Sequence, residues 1–308
     1  MRFHKLDLNL LVALDALLVE CSISRAAERL HMSASAMSSA LSRLRDYFDD
    51  ELLVQVGRKM EITPRAEVLR DAVRDVLMRI DAGIAAQPQF DPAQADREFR
   101  VSVSDYSQAT VVPHVLALAW RQAPMLRFNF VPQVDNPQRA LERGEVDLLV
   151  IPEGMGSEHH PTETLFNECF KCVVWSGSAM ARRPLSFEDY TGAGHVVMQP
   201  IGPTGYTFES WFMQRYGVNR RVDVHTYSFV AAVQLVLGTE RIATVHRRLA
   251  LQMQRMLPIA LLEPPFPLPE MQQSMQWHKY RSLDPAIVWL RNLFHDAARA
   301  MDAQAPLP

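Results

Sequence analysis

The first apolar pattern in the chain is helical. Leu10, Leu11, Leu14, Leu17 and Leu18 recur at helical spacing behind Asp7, a residue whose carboxylate suits an N-cap. Ser24 is then placed to cap a short helix, Arg25 to Leu30, in which Ala26 and Ala27 are small enough to let another helix cross closely. A tight turn follows at His31-Met32-Ser33. Ser33 can cap a third helix whose Met37, Leu41, Leu44 and Phe48 share one face. The opposite face carries Ala34, Ser35, Ser38, Ser42 and Arg45.

A row of small and hydroxylated residues at a helix start lets its backbone approach another surface. In helix-turn-helix geometry that surface is the DNA major groove, read by the start of the second helix; a plain solvated face is the alternative. Beyond Asp50, Leu52 to Val56 reads as a strand, Gly57-Arg58-Lys59 as a turn and Met60 to Thr63 as a returning strand. Such a wing would carry Arg58 and Lys59 at its tip, suited to backbone or minor-groove contacts. The candidate DNA-binding residues are therefore Ser24, Arg25, Ser33, Ala34, Ser35, Ser38, Ser42, Arg45, Arg58 and Lys59. Thr63-Pro64 opens a further helix with a cap and a proline at its first position. Its Leu69, Val73, Val76, Ile80 and Ile84 repeat at close to 3.5 residues per turn, which suits a dimerising linker, with packing against its own body as the alternative.

From Arg97 the pattern alternates. Strand-like runs at Phe99–Val103, Phe128–Val131, Val146–Ile151, Cys169–Trp175, His195–Met198, Val222–Thr226 and Arg241–Val245 are separated by helical ones, predicting an α/β domain with largely parallel sheets. The proline-rich stretch Pro258 to Pro269 interrupts this, before Met271–Trp277 and a last helix near Pro285–Ala300. Two lobes explain that late return. Ligands of open α/β sheets sit beyond the carboxyl ends of strands. Read that way, the candidate effector-binding residues are Asp105, Tyr106, Ser107, Gln133, Gln199, Ser228, Phe229, His246, Trp277 and His278. Aromatic and amide groups dominate this set, so the expected ligand is flat and weakly polar.

Composition narrows the function further. The chain has 308 residues, 48% hydrophobic and 22% charged, enough for a small domain and a larger one. A net charge of −3 argues against a generic polyanion binder, so any DNA contact must come from local placement. Arg2, Lys5, Arg25, Arg29, Arg43, Arg45, Arg58, Lys59 and Arg65 balance Asp7, Asp15, Glu20, Glu28, Asp46, Asp49, Asp50, Glu51 and Glu61 in the first 65 residues. Charged residues interrupt the apolar segments, so neither a signal peptide nor a membrane span is expected, and the protein is expected in the cytoplasm. Three cysteines, Cys21, Cys169 and Cys172, fit reduced thiols there.

Enzyme motifs fail on context. Gly192-Ala193-Gly194 lacks a third glycine and precedes its strand, where a dinucleotide fingerprint would follow one. Cys169 and Cys172 have metal-like spacing but would point to opposite faces of a strand, and no second ligand pair exists. His159-His160 has no carboxylate partner at helical spacing. No catalytic residue, metal or cofactor is expected, only a small-molecule effector.

The order Ser22-Ile23-Ser24-Arg25-Ala26-Ala27-Glu28-Arg29-Leu30, tight turn, Ser33-Ala34-Ser35-Ala36-Met37-Ser38-Ser39-Ala40-Leu41-Ser42-Arg43-Leu44-Arg45, then Leu52-Leu53-Val54-Gln55-Val56-Gly57-Arg58 and Ile62-Thr63-Pro64, resembles the LysR-type regulators. The opening Met1-Arg2-Phe3-His4-Lys5-Leu6-Asp7-Leu8-Asn9-Leu10-Leu11 is similar to the nodulation-regulator branch of that family. Gly238-Thr239-Glu240-Arg241-Ile242 and Met275-Gln276-Trp277 look similar as well, so the resemblance spans the chain. The resemblance implies an α/β protein overall, with an N-terminal all-α winged helix-turn-helix (1–63), a linker helix (64–90) and a C-terminal effector domain (91–308). That last domain is expected to be a two-lobed α/β unit, periplasmic-binding-protein-like, its lobes about 97–167 with 270–302, and 168–269. It implies a homodimer or homotetramer on double-stranded promoter DNA that contacts RNA polymerase, switched by a small aromatic or phenolic effector. An effector-independent regulator and a solute-binding protein are the alternatives. One departure stands out: the family's recognition helix usually opens Ser-Gln-Pro, whereas Ala34 and Ser35 follow Ser33 here. Losing that glutamine removes a side chain able to pair bidentately with adenine.

Overall fold

The structure is a computed structural model that describes residues 7–80, 83, 89–134, 136–200, 207–215 and 217–304. Arg2, Lys5 and Ile84 lie outside the described residues. The chain divides into two compact units, Met1–Ala86 and Gln87–Pro308.

The first unit opens with helix α1, Leu8–Glu20, capped by Asp7, whose carboxylate accepts from the Asn9 amide at 2.9 Å. Helix α2, Ile23–Arg29, is capped by Ser22 and not by Ser24; the Ser22 hydroxyl accepts from Arg25 N at 3.4 Å, and Ser24 sits exposed in the first turn. His31 takes a left-handed φ of 53° between α2 and helix α3, Ala34–Phe48. A non-glycine in that region is uncommon, and here it marks the tight turn of a helix-turn-helix. Met37, Ala40, Leu41 and Leu44 of α3 are buried with the leucine stripe of α1 and with Ala26 and Ala27 of α2. Strands β1, Leu53–Val56, and β2, Lys59–Ile62, pair antiparallel with Val56 opposite Lys59. The loop is therefore Gly57-Arg58, with Gly57 at φ 62°, and Lys59 begins the return strand instead of sitting in the turn.

Helix α4, Pro64–Ile80, starts at Thr63, whose hydroxyl accepts from Ala66 N at 3.0 Å. Its apolar seam divides. Ala66, Leu69, Val73 and Leu77 pack into the core of their own unit, and Arg74 pairs with Asp15 of α1, while Val68 and Val76 are exposed. Leu69 and Val73 thus follow the own-body alternative, because they fall on the side that meets α1.

The second unit contains two five-stranded sheets. In chain order its elements are β3 (Glu98–Val103), α5 (Asp105–Thr110), α6 (Val112–Gln122), β4 (Arg127–Pro132), α7 (Pro137–Glu142), β5 (Leu148–Pro152), β6 (Thr162–Glu168) and β7 (Phe170–Trp175). Then come α8 (Phe187–Gly192), β8 (Gly194–Met198), α9 (Phe208–Arg215), β9 (Arg221–Thr226), α10 (Phe229–Gln234), β10 (Ile242–His246), α11 (Arg247–Gln254), β11 (Ile259–Leu262), β12 (Met271–Gln276) and α12 (Pro285–Gln304). One sheet has the order β4-β3-β5-β12-β6 and the other β11-β7-β10-β8-β9. The sheets are mixed and not largely parallel. β3 is parallel to β4 and β5, and β8 to β9 and β10, but β12 runs antiparallel to β5 and β6, and β7 to β10 and β11. Two of these strands, β6 and β11, have no counterpart among the runs expected from the sequence; Pro258 precedes β11 and does not stop its pairing with β7. One apolar cluster contains residues of both sheets and of the helices beside them, among them Phe99, Phe170 and Val245 from strands and Tyr106 and Phe229 from helices.

Candidate functional site

On the first unit, the start of α3 and the wing offer an exposed surface. Ser33, Ala34, Ser35, Ser38 and Ser42 are all exposed, with Ser33 Oγ engaged as cap to Ala36 N at 3.2 Å. Ser39, which the sequence pattern did not single out, is exposed beside them and bonds the Ser35 carbonyl at 3.0 Å. Arg45 departs from the expectation. Its guanidinium turns back to donate to the carbonyls of Glu51 at 2.8 Å and Leu53 at 2.9 Å, so it fastens the root of the wing to α3. Arg25 lies against Glu20. Arg58 and Lys59 are exposed and make no ion pair among the described residues.

On the second unit, a cavity of about 740 Å³ lies between the two sheets, a size suited to a small organic molecule. It collects the carboxyl ends of the parallel strands: Asp105 and Tyr106 after β3, Gln133 after β4, Gly154 after β5, Met198 at the end of β8, Ser228 and Phe229 after β9, and His246 ending β10. Four expected residues lie elsewhere. Ser107 is fully buried behind the wall, its amide on the capping hydroxyl of Ser104 at 3.2 Å. Gln199 is passed over by its neighbours Met198 and Pro200, while its amide bonds Thr226 O at 2.7 Å. Trp277 donates to Ser282 Oγ at 3.0 Å under the guanidinium of Arg291, and His278 caps the turn at Tyr280.

Trp277 and His278 lie away from the cavity because of strand direction. Because β12 is antiparallel to β5, its amino end meets the cavity, through Met271 and Gln273, and its carboxyl end points away. The same reversal brings in Phe170 from the start of β7. Gly156 lines the cavity where any Cβ would come within 2.3 Å of Gln276 Oε1. That amide clamps the loop from behind, accepting from Ser157 N and donating to Ser157 O, each at 2.9 Å.

The wall is aromatic. Tyr106 stacks on His246 with centroids 3.8 Å apart, and Phe170 and Phe229 pack on the same imidazole at 5.2 Å and 4.6 Å. Burial alone pushes the His246 ring down to about 3, so it is neutral, and its Nδ1 has no hydrogen-bond partner among the described residues. Tyr106 donates to Glu168, a carboxylate that Arg248 meets at 3.2 Å. Burial and then the Glu168 charge hold the Tyr106 phenol well above its ordinary value, and burial raises the Glu168 carboxyl.

The charged groups lining the cavity are acidic, Asp105 and Glu209, and the described lining contains no Lys or Arg. Glu209 is held from behind by Arg220, which also donates to Tyr190 at 3.0 Å. Away from the cavity, Cys172 is buried near Thr244, its thiol pushed up to about 12 by burial. His160 lies against His278 with rings 4.5 Å apart. No group of three or more His, Cys, Asp or Glu among the described residues is arranged to hold a metal ion, and no helix among them is long and apolar enough to cross a membrane.

Comparison with known proteins covers nearly the whole chain. Residues 8–67 match the family described as "Bacterial regulatory helix-turn-helix protein, lysR family", and residues 92–299 match "LysR substrate binding domain". Nodulation protein D of Bradyrhizobium sp. (strain ANU 289) is 40% identical over 304 residues, covering 99% of this chain and 90% of that protein. Among solved structures, a probable transcriptional regulator from Pseudomonas aeruginosa is 27% identical with a TM-score of 0.67, covering 96% of this chain and 98% of its own. A full-length OxyR variant from the same organism shares the fold at a TM-score of 0.75 and 18% identity, covering 96% and 95%.

Proposed function

The chain belongs to the LysR family of transcription regulators, and from that premise we propose that it binds promoter DNA through the exposed start of α3 and the wing and is switched by an uncharged aromatic or phenolic effector held between its two sheets. The observation that carries the effector reading is the cavity's lining: stacked aromatic rings, acidic groups, and no cation among the described residues. An aromatic acid would bring its carboxylate to a lining whose acidic groups are Asp105 and an Arg220-paired Glu209, and which offers no cation of its own among the described residues to receive it. A polyphenol brings a flat face for the more exposed lining rings Phe208 and Tyr227, against the wall of Phe170 and Phe229, and hydroxyl donors for the acceptors nearby.

On the DNA side, Ser24, Ser33, Ala34, Ser35, Ser38 and Ser42 form the close-approach surface with Arg25 beside them, held against Glu20, while Arg58 and Lys59 supply the uncommitted charge and Arg45 positions the wing. The protein works in the cytoplasm as a homodimer or homotetramer that meets RNA polymerase, and its chemistry is binding and not catalysis. Exposed Val68 and Val76 on α4, and Leu116, Trp120 and Met125 on and just after α6, support self-association, since apolar surface of this kind is more often covered than solvated.

Thermal-shift screening of matched phenols, flavones and aromatic acids tests the effector reading. Neutral polyphenols should raise the melting temperature of the full chain and change the footprint and bend of a bound promoter fragment. Stabilisation by the aromatic acids alone would refute the charge argument. An identical footprint and bend with a stabilising compound would refute the switch.

A further inference from the structure

One carboxylate on the cavity wall hydrogen-bonds from the side of one sheet to the side of the other. Asp105 stands at the start of α5, on the first sheet's side, yet its Oδ2 accepts from Ser228 Oγ at 2.7 Å and from Val230 N at 3.1 Å, both at the start of α10 on the other side. Ser228 Oγ is at the same time the cap of α10, accepting from Ala231 N at 3.0 Å. The second oxygen of that carboxylate, Oδ1, is buried and has no hydrogen-bond partner among the described residues, although Asp105 lines the cavity.

Elsewhere the two halves are tied through the crossover between the sheets. Arg248 of α11 reaches Asn167 O at 2.6 Å, Glu168 at 3.2 Å and Asp302 of α12 at 2.6 Å, and Tyr106 also donates to Glu168. These contacts gather at the strand end where the chain passes from one sheet to the other. The contact at Asp105, one residue before Tyr106, is on the cavity wall, and it is half complete. An anionic oxygen withdrawn from water without a donor is costly. Separation of the lobes would return Oδ1 to water, whereas an effector hydroxyl admitted by a small shift of the wall around Asp105 would satisfy it inside the cavity.

We propose that Asp105 is the positioning residue through which cavity occupancy sets the spacing of the lobes: Oδ2 latches α10, and an effector hydroxyl donating to Oδ1 completes and tightens the latch. This rests on the reading of the cavity as the effector site. It requires that the same carboxylate serve both lobes and ligand, so its two oxygens can be separated by substitution. In Asp105→Asn the amide oxygen can take the two α10 donors, leaving an NH₂ where Oδ1 stands; the latch survives and the acceptor becomes a donor. Asp105→Ala removes both.

The test is amide hydrogen exchange of residues 229–234 in the full-length protein, with and without a tetrahydroxyflavone and, separately, its tetramethyl ether. Without either compound, exchange should be at least tenfold faster in Asp105→Ala than in wild type and no faster in Asp105→Asn. The tetrahydroxyflavone should slow wild-type exchange about tenfold, the methyl ether should not, and Asp105→Asn should lose that protection while keeping its melting temperature. Wild-type exchange at 229–234 in Asp105→Ala would overturn the latch whatever the compounds do. Equal protection of wild type and Asp105→Asn would overturn the role of Oδ1 and leave the cavity reading standing. A clear Ala-against-Asn contrast with no response of wild type to either compound would overturn the effector half of the proposal together with the cavity reading.

Discussion

His246 shows how a single buried ring carries a measurable signature. Burial pushes it down to about 3, and burial, partly offset by a hydrogen bond to the Tyr190 carbonyl, pushes His195 to about 4. Both rings are therefore neutral in the folded chain, while the unfolded chain protonates them below about 6.5. The unfolded state then binds more protons, so stability falls as pH drops from about 6.5 towards 4, and the slope ends only where the folded rings titrate as well. Each ring contributes about 1.4 kcal/mol per pH unit within that window. Replacing His246 by Phe removes one titrating group and abandons no hydrogen bond of Nδ1, which has none among the described residues. Urea melts between pH 6 and 4.5 should show the pH slope of the unfolding free energy reduced by about 1.4 kcal/mol per unit in the variant. An unchanged slope would mean that the wild-type ring takes up its proton while folded. The sequence placed His246 at a strand end but carried no sign of this chemistry, because the three rings around it come from β7, α5 and α10 and meet only in the folded unit.

At the scale of elements, Thr63 holds three pieces of the reader together. Its hydroxyl accepts from Ala66 N to start α4 and donates to Asp50 Oδ1 at 2.6 Å, and that carboxylate also accepts from Leu52 N at 2.7 Å at the entry to β1. The Thr63 hydrogen bond is the largest cause holding the Asp50 carboxyl below its ordinary value. Thr63→Ala should cost about 1–2 kcal/mol in denaturant unfolding, with Thr63→Ser recovering most of it; a loss shared equally by the serine variant would assign the effect to the methyl group. Caps of this kind are legible because their partners lie within four residues, as at Asp7, Ser33 and Thr63. The choice between Ser22 and Ser24 was not, since the two hydroxyls stand only two residues apart at the start of the same short helix. Strand direction was less legible still. An apolar run does not say which way it will travel in a sheet, so the rule of carboxyl ends found Asp105, Gln133, Ser228 and His246 on parallel strands. Trp277 and His278 lie away from the cavity, and Phe170, Met271 and Gln273 line it instead, because β12 and β7 run the other way.

Across the whole chain, a net charge of −3 leaves no general attraction to nucleic acid, so the cations that do meet DNA must be few and uncommitted. The structure sorts them. Arg25 and Arg29 lie against Glu20, Arg43 faces Asp7, and Arg45 is spent on Glu51 and the wing backbone, while Arg58 and Lys59 stand exposed on the hairpin without an ion pair among the described residues. A wing that only neutralises phosphates contributes affinity and salt dependence but no choice of sequence. The double substitution Arg58→Ala with Lys59→Ala should therefore weaken binding to promoter and unrelated DNA by a similar factor. Its plot of log affinity against log salt should also be shallower by about 1.8 for each reader engaged, close to 0.9 for each phosphate no longer neutralised. Fluorescence anisotropy at four or five potassium chloride concentrations, on both DNAs, measures the two quantities together. A selective loss on promoter DNA at unchanged salt slope would show instead that the wing reads base edges, and the bare hydroxyl face of α3 would then no longer be the main source of specificity.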